Sequence, residues 1–346
     1  MNRWLVVSVV LLSACASSSQ SPAPVRKADA SAVPATAPLC TGAVSAEGAF
    51  DTAVNLPLVG GATRLTIFVG THTHGDLIRP DRVTFAHHAG VVRELRSALP
   101  DPAKSLFVGN GDDISASLCG VPTDGRHVVD AFNAGGLDAD TFGFNEVAAD
   151  VSRLEPSQLR QLVAASRFTW VSANVLELDR SDVFAGAQGA RRWTVKDVGG
   201  IRVGVTGLIV PSPAPGFVPA SYGRDLTVID PVDAMREVIP LMRRDGAQVI
   251  VVLSHMDGET MERVARDVEG VDAILGSHVG FTSMSKIVGN TILADGHDNM
   301  HQVAQIDLLV RDGRVVGRAF SLHAVRLSSV PQPDVRAILE RYVTTR

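Results

Sequence analysis

The chain predicts an α/β fold, and three observations carry that expectation. Leu65–Val69 and Val249–Val252 are continuous apolar, β-branched runs of the kind found in strands buried on both faces. Between such runs lie apolar residues at helical spacing, as with Met261, Val264, Ala265 and Val268 at i, i+3, i+4 and i+7. Strand and helix patterns alternate early, and hairpin signals close each half.

The length, 346 residues, allows one large domain or two ordinary ones, and a net charge of −5 without a basic run argues against a nucleic-acid partner. Met1-Asn2-Arg3 is a short basic start, and the apolar Trp4–Leu12 that follows is too short to span a bilayer, so it reads as an export signal. Leu12-Ser13-Ala14-Cys15 resembles the lipobox of bacterial lipoproteins, implying cleavage before Cys15 and a lipid on its thiol; a plain signal peptide cut nearby is the simpler alternative. Neither Ala16 nor Ser17 resembles the Asp that retains many lipoproteins at the inner membrane. The expected location is therefore the cell envelope, with the outer membrane favoured and the chain facing periplasm or surface. Residues 1–15 form the signal and 16–43 a Ser/Ala/Pro-rich tether, followed by a domain over 44–328 and a C-terminal helical tail over 329–346. Once Cys15 is lipidated, Cys40 and Cys119 remain, and both a disulfide and two free thiols are compatible with an oxidising compartment.

Several strand ends carry residues that bind metals. Leu65–Val69 delivers Gly70-Thr71-His72-Thr73-His74-Gly75-Asp76, and in extended backbone a His-x-His pair points both rings to one side. A helix is expected over Ala89–Leu99, then the strand Leu106–Val108 ending in Gly109-Asn110-Gly111-Asp112-Asp113. Further helices are expected over Val128–Asn133 and, with Pro156 near its start, residues 156–166. Phe168–Val171 is a strand leading to Ser172-Ala173-Asn174, and Arg192–Val198 pairs with Ile201–Ile209 across Gly199-Gly200. Asp230 starts a helix over Pro231–Arg244 that Pro240 should end or kink. Val249–Val252 runs into Leu253-Ser254-His255, and after a helix Ala273-Ile274-Leu275 opens into Gly276-Ser277-His278. Both imidazoles thus stand past strand ends, where α/β sheets keep their ligand crevices. Thr291–Leu293 and Gln305–Val310 close the set, the latter turning at Asp312-Gly313 into Arg314–Phe320.

In this order the pieces resemble the calcineurin-like metallophosphoesterases, and more narrowly the catalytic domain of the 5′-nucleotidases. The motifs are strand–x-His-x-His-Gly, strand–Gly-Asp, Asp-Ala-x-x-x-Gly-x-x-Glu from Asp138 to Glu146, Leu-Ser-His and Gly-x-His. Ser172-Ala173-Asn174-Val175, Val198-Gly199-Gly200-Ile201 and Asp245-Gly246-Ala247-Gln248-Val249 extend the likeness over roughly residues 63–320. The resemblance implies a four-layer sandwich, two mixed β-sheets flanked by helices. It also implies one or two divalent metals, Zn or Mn, bridged by Asp112 and assisted by His74, His255 and His278, which activate a water against a small phosphorylated substrate. Where the family has Asp, Asn-His and a second His, this chain has His72, Phe144-Asn145 and Gly280. His72 is then a substitute ligand, and Asn145 can bond a phosphoryl oxygen but cannot act as an acid. Asp113 is an alternative bridge, and His297 or His301 could fill the place left by Gly280. After Phe320 too few residues follow for the family's base-clamping domain, so recognition of a nucleoside base is not expected. Two readings remain: a metal-dependent phosphoesterase with an altered site, and a catalytically inactive lipoprotein of the same fold that binds a metal or ligand.

Overall fold

In the computed structural model the described residues are 60–78, 83–114, 117–118, 121–148, 154–211, 223–276, 278, 285–296 and 300–344. They form two six-stranded mixed sheets. The first comprises β1 (Thr63–Val69), β2 (Ser105–Val108), β5 (Ala139–Asp140), β6 (Thr169–Trp170), β15 (Gln302–Arg311) and β16 (Arg314–Ala324), in the order β16-β15-β1-β2-β5-β6. The second comprises β8 (Trp193–Val198), β9 (Ile201–Ile209), β11 (Val249–His255), β12 (Ala273–Leu275), β13 (Ser285–Val288) and β14 (Thr291–Ala294), in the order β13-β14-β12-β11-β9-β8. Two short pairs complete the set, β3 (Ser117–Leu118) with β4 (Val121–Pro122) and β7 (Val175–Glu177) with β10 (Leu226–Val228).

Strand alternation divides the core into layers. On β1, Leu65, Ile67 and Val69 join Val249, Val251 and Leu253 of β11 in one cluster between the sheets. The residues between them face outward: Phe68, Ile250 and Val252 join the cluster that the helices complete. Helices α1 (Phe85–Ser97), α2 (Arg126–Gly135) and α4 (Pro156–Ala165) contribute Phe85, Phe132 and Leu159 to it, and α5 (Pro231–Arg244) and α6 (Gly258–Asp267) contribute Met235 and Met261. The C-terminal helix α7 (Pro333–Thr344) packs on α1 and α2 through buried Val335 and Leu339. A short helix, α3 (Phe144–Val147), sits at the end of β5.

The expected four-layer arrangement is present, and so are both hairpins, β8–β9 turning at Gly199-Gly200 and β15–β16 turning at Asp312-Gly313. Of the two effects expected of Pro240, ending the helix does not occur: α5 runs on to Arg244. Pro240 lies on the exposed side, whereas Val232, Met235, Val238 and Met242 are buried. Asp230 caps the start by accepting from Val232 N and Asp233 N at 2.8 and 3.3 Å. Burial of the four apolar side chains, about 1.5–3 kcal/mol each, outweighs an interior proline that costs about 3 kcal/mol. The edge strand β13 was not read from the sequence, because Ser285, Lys286 and Ile287 are exposed and carry no inward alternation.

Strands β1, β2 and β5 run parallel, as do β9, β11, β12 and β14. Their carboxyl ends carry the residues of interest. Asn174, in the stretch before β7, ties this rim together: its amide donates to Ile209 O at 2.7 Å and accepts from Ile209 N at 3.0 Å.

Candidate metal centre

Two loops at the ends of β1 and β2 hold the centre, and both carry unusual backbone. His72, His74 and Asp112 have φ of +48°, +52° and +55°. The expected extended His-x-His geometry is therefore replaced by left-handed conformations, which cost about 1 kcal/mol or more each for a residue with a Cβ. The loops hold each other in that state. His74 N donates to Asp112 O at 2.8 Å and Gly75 N to Asp113 O at 2.9 Å. Glu146, at the end of α3, secures the Asp112 loop. Its carboxylate accepts from the backbone N–H of Asp112, Asp113, Ile114 and Gly143 at 3.0, 2.8, 2.6 and 2.8 Å. Gly143 has to be glycine: a Cβ there would collide with the backbone N and carboxylate of Asp112.

From the second sheet β11 delivers His255 and the loop after β12 delivers His278, whose N–H donates to Met256 O at 3.1 Å. The four imidazoles meet around one carboxylate. Asp112 Oδ2 lies 3.9 Å from His72 Nε2, 4.0 Å from His74 Nδ1 and 3.8 Å from His278 Nε2, and Oδ1 lies 3.3 Å from His255 Nε2. The His72 ring stacks over His255 at 5.3 Å and meets His74 edge-on at 4.7 Å. Among the described residues these side chains make two metal-capable groups, His72–His74–Asp112 and Asp112–His255–His278, whose donor atoms lie within 4.8 Å of one another. Asp112 belongs to both.

The donors suit a divalent ion. His255 Nδ1 is 3.2 Å from the carbonyl oxygen of Asn110, which can only accept, so Nδ1 carries a proton and Nε2 is the atom turned to Asp112. That buried Nε2 makes no well-aligned hydrogen bond among the described residues. Donor separations of 3.3–4.0 Å compare with the roughly 3.3 Å between ligands of a tetrahedral zinc ion. Burial alone would raise Asp112, but His255, His72 and His74 hold it well below the usual carboxylate range. Burial opposes the charge of His255, yet Asp112 keeps its pKa above the ordinary value. Burial, reinforced by His255, pushes His278 down to about 4. Burial likewise lowers His72. The side chain of His74 is 42% exposed, so the centre opens to solvent on that side.

Comparison with known proteins bears on the fold. No protein-family model matches the chain. It is 24% identical over 197 residues to a probable 5′-nucleotidase of Treponema pallidum and 26% identical over 194 residues to snake venom 5′-nucleotidase of Gloydius brevicauda. Each match covers 56% of this chain and 31% of the relative, so the match spans about a third of the relatives' length. Calcineurin-like phosphoesterase YfkN from Bacillus subtilis superposes with a TM-score of 0.61 at 18% identity, over 82% of this chain and 98% of that one. Sulfate thiohydrolase SoxB from Thermus thermophilus gives 0.68 at 18% identity over 85% and 62%, and a 5′-nucleotidase precursor from Thermus thermophilus gives 0.61 at 18% over 82% and 59%. The chain has the calcineurin-like phosphoesterase fold.

Within this fold the sequence-read residues fall into three groups. His72, His74, Asp112, His255 and His278 converge as described, with Asn145 beside them: its backbone N–H donates to Asp112 Oδ1 at 2.7 Å, and its amide faces His74 Nδ1 at 2.7 Å. Asp113 and His301 do not join. Asp113 is turned the other way, accepting from Thr71 Oγ1 at 2.6 Å and Thr73 N at 2.9 Å, so it braces the histidine loop rather than bridging ions. Burial pushes it up to about 7. His301 lies beside His88 beneath α1 and enters neither group. Cys15, Cys40, Cys119, His297 and Gly280 lie outside the described residues.

Sequence reading missed two roles. Phe144 packs edge-on against His255 and His278, with ring centroids 5.0 and 4.7 Å apart, and so walls the second group with hydrocarbon. Glu146 was seen only as a motif position, and nothing in a lone sequence reveals that its carboxylate collects four backbone N–H groups. Burial and Asp112 push it up to about 8 against those donors.

Proposed function

We propose that this chain is a metal-dependent, 5′-nucleotidase-like phosphoesterase that hydrolyses esters of small phosphorylated molecules at the cell envelope through a metal-activated water. The observation that carries the reading is the pair of two-histidine groups sharing Asp112. In this reading His72 and His74 hold one ion, His255 and His278 the other, and Asp112 both. Imidazole-rich ligation favours Zn²⁺, with Mn²⁺ second. Ions bound there would supply Lewis acidity and a hydroxide at neutral pH for attack on phosphorus.

The chain's own residues supply orientation. Asn110 O fixes the tautomer of His255, Glu146 fixes the Asp112 loop, and the Asn145 amide, which faces His74 Nδ1 at 2.7 Å, is the group this reading assigns to a phosphoryl oxygen once it turns from His74. Asn145 offers no proton to a leaving group, so esters with good leaving groups, such as aryl phosphates, are the expected substrates. Substrate access is from the His74 side. Anchoring through a lipid on Cys15, with the outer membrane favoured, completes the reading, supported by the Leu-Ser-Ala-Cys sequence alone. Among the described residues no helix is long and apolar enough to cross a membrane.

A second reading, a catalytically inactive metal- or ligand-binding module, is favoured by Phe144 and Asn145, which replace the family's Asn-His pair. Hydrolysis of a generic aryl phosphate ester with Zn²⁺, Mn²⁺ or no added metal separates the two. Metal-dependent turnover abolished by Asp112→Ala supports the hydrolase; bound metal without turnover supports the module.

A further inference from the structure

The loop from Gly70 to Asp76 carries two of the four imidazoles, and His72, His74 and Gly75 all sit at positive φ. Part of what holds it there comes from a helix outside the site. His127, on α2 and fully buried, brings Nε2 to 2.7 Å from the carbonyl oxygen of Gly75. A carbonyl accepts only, so Nε2 carries the proton and donates. On its other side Gly75 donates its own N–H to Asp113 O, so this residue is gripped from two directions one position beyond His74. Behind the imidazole stands Tyr342 of α7, edge-on with ring centroids 5.9 Å apart. Its hydroxyl donates to Asp130 Oδ2, on the next turn of α2, at 2.8 Å.

We propose that His127 is a positioning residue for the His72–His74–Asp112 half of the metal centre, acting through the Gly75 carbonyl and backed by Tyr342. The inference rests on the reading of those side chains as metal ligands. The physical reason is local strain. A segment with consecutive left-handed residues relaxes unless its peptide groups are fixed, and a buried carbonyl that loses its donor is left with an uncompensated desolvation penalty. A relaxed Gly75 carries His74 with it. The other half of the centre shares Asp112 but draws both of its imidazoles, His255 and His278, from β11 and the loop after β12, on the second sheet. The effect of removing the His127 donor therefore falls more heavily on the His72–His74 metal equivalent than on the other.

The test is titration of the full metal-free chain with Co²⁺, read by equilibrium dialysis and by visible d–d absorption. Wild type is compared with His127→Phe, which fills the space without a donor, and His127→Gln, which keeps an N–H. Thermal melts of the metal-free proteins report folding. Wild type is expected to bind two equivalents. His127→Phe should bind one equivalent about 10- to 100-fold more weakly and the other with a clearly smaller loss, with a matching loss of absorption, and His127→Gln should recover most of the loss. Should His127→Phe fail to fold, Tyr342→Leu should weaken the same equivalent by a smaller factor. Two wild-type-like equivalents in the folded donor-less variant, or in Tyr342→Leu, overturn the inference alone. So does equal weakening of both equivalents that His127→Gln does not rescue, which marks a purely structural histidine. A wild-type chain that takes up no cobalt overturns the metal reading and this inference with it.

Discussion

Asp112 combines left-handed backbone with a buried carboxylate among four imidazoles, an arrangement the chain maintains at a cost to its own stability. Glu146 offsets much of that cost. Glu146→Gln keeps the volume but turns one acceptor into a donor facing backbone N–H groups. Loss of about 2–4 kcal/mol is expected, measured by urea unfolding of the metal-free chain, together with weakened metal uptake. His88 gives a separate prediction away from the centre. Burial pushes it down to about 4, against its bond to Met300 O, with His301 adding to the shift. Its folded pKa lies below its unfolded value, so the unfolded chain takes the proton first and stability is lost as pH falls from about 6.5 toward 4. Between pH 7 and pH 5 this amounts to about 2 kcal/mol, and His88→Gln should remove that part of the slope in denaturant midpoints. At this scale the residues that converge on Asp112 were legible, because His and Asp after a buried strand are chemically distinctive. Their backbone was not: left-handed φ at His72 and His74 is imposed by hydrogen bonds from the Asp112 loop, remote in sequence.

The elements were legible wherever burial imposes a period. β1, β11 and the helices α2, α4 and α6 announce themselves through apolar spacing, and their observed bounds fall within a few residues of expectation. Pro240 did not end α5 because the burial of Val232, Met235, Val238 and Met242 outweighs a local rule. Pro240→Ala restores a backbone N–H on the exposed face and should raise stability by about 1–3 kcal/mol in thermal or urea unfolding, with metal content unchanged. The opposite holds at Gly207 on β9. A Cβ there would collide with Thr141 Oγ1 and the Val171 carbonyl, where the edges of the two sheets approach. Gly207→Ala should destabilise the chain by about 1–3 kcal/mol in the same assay.

At the level of the whole molecule, the proposed metal centre depends on two sheets meeting rim to rim. His72 and His74 belong to one and His255 and His278 to the other, and Asp112 stands at the seam. The order of motifs made this architecture legible, whereas the hydrocarbon wall of Phe144 and the bracing role of Asp113 required the folded chain. The most direct test of the central claim is the metal content of purified wild-type chain and Asp112→Ala after incubation with Zn²⁺ or Mn²⁺ and gel filtration. The account predicts two equivalents in wild type and a fall of at least about tenfold in affinity for Asp112→Ala. A wild-type chain that retains no metal under either condition, or an Asp112→Ala chain that retains as much as wild type, would contradict it.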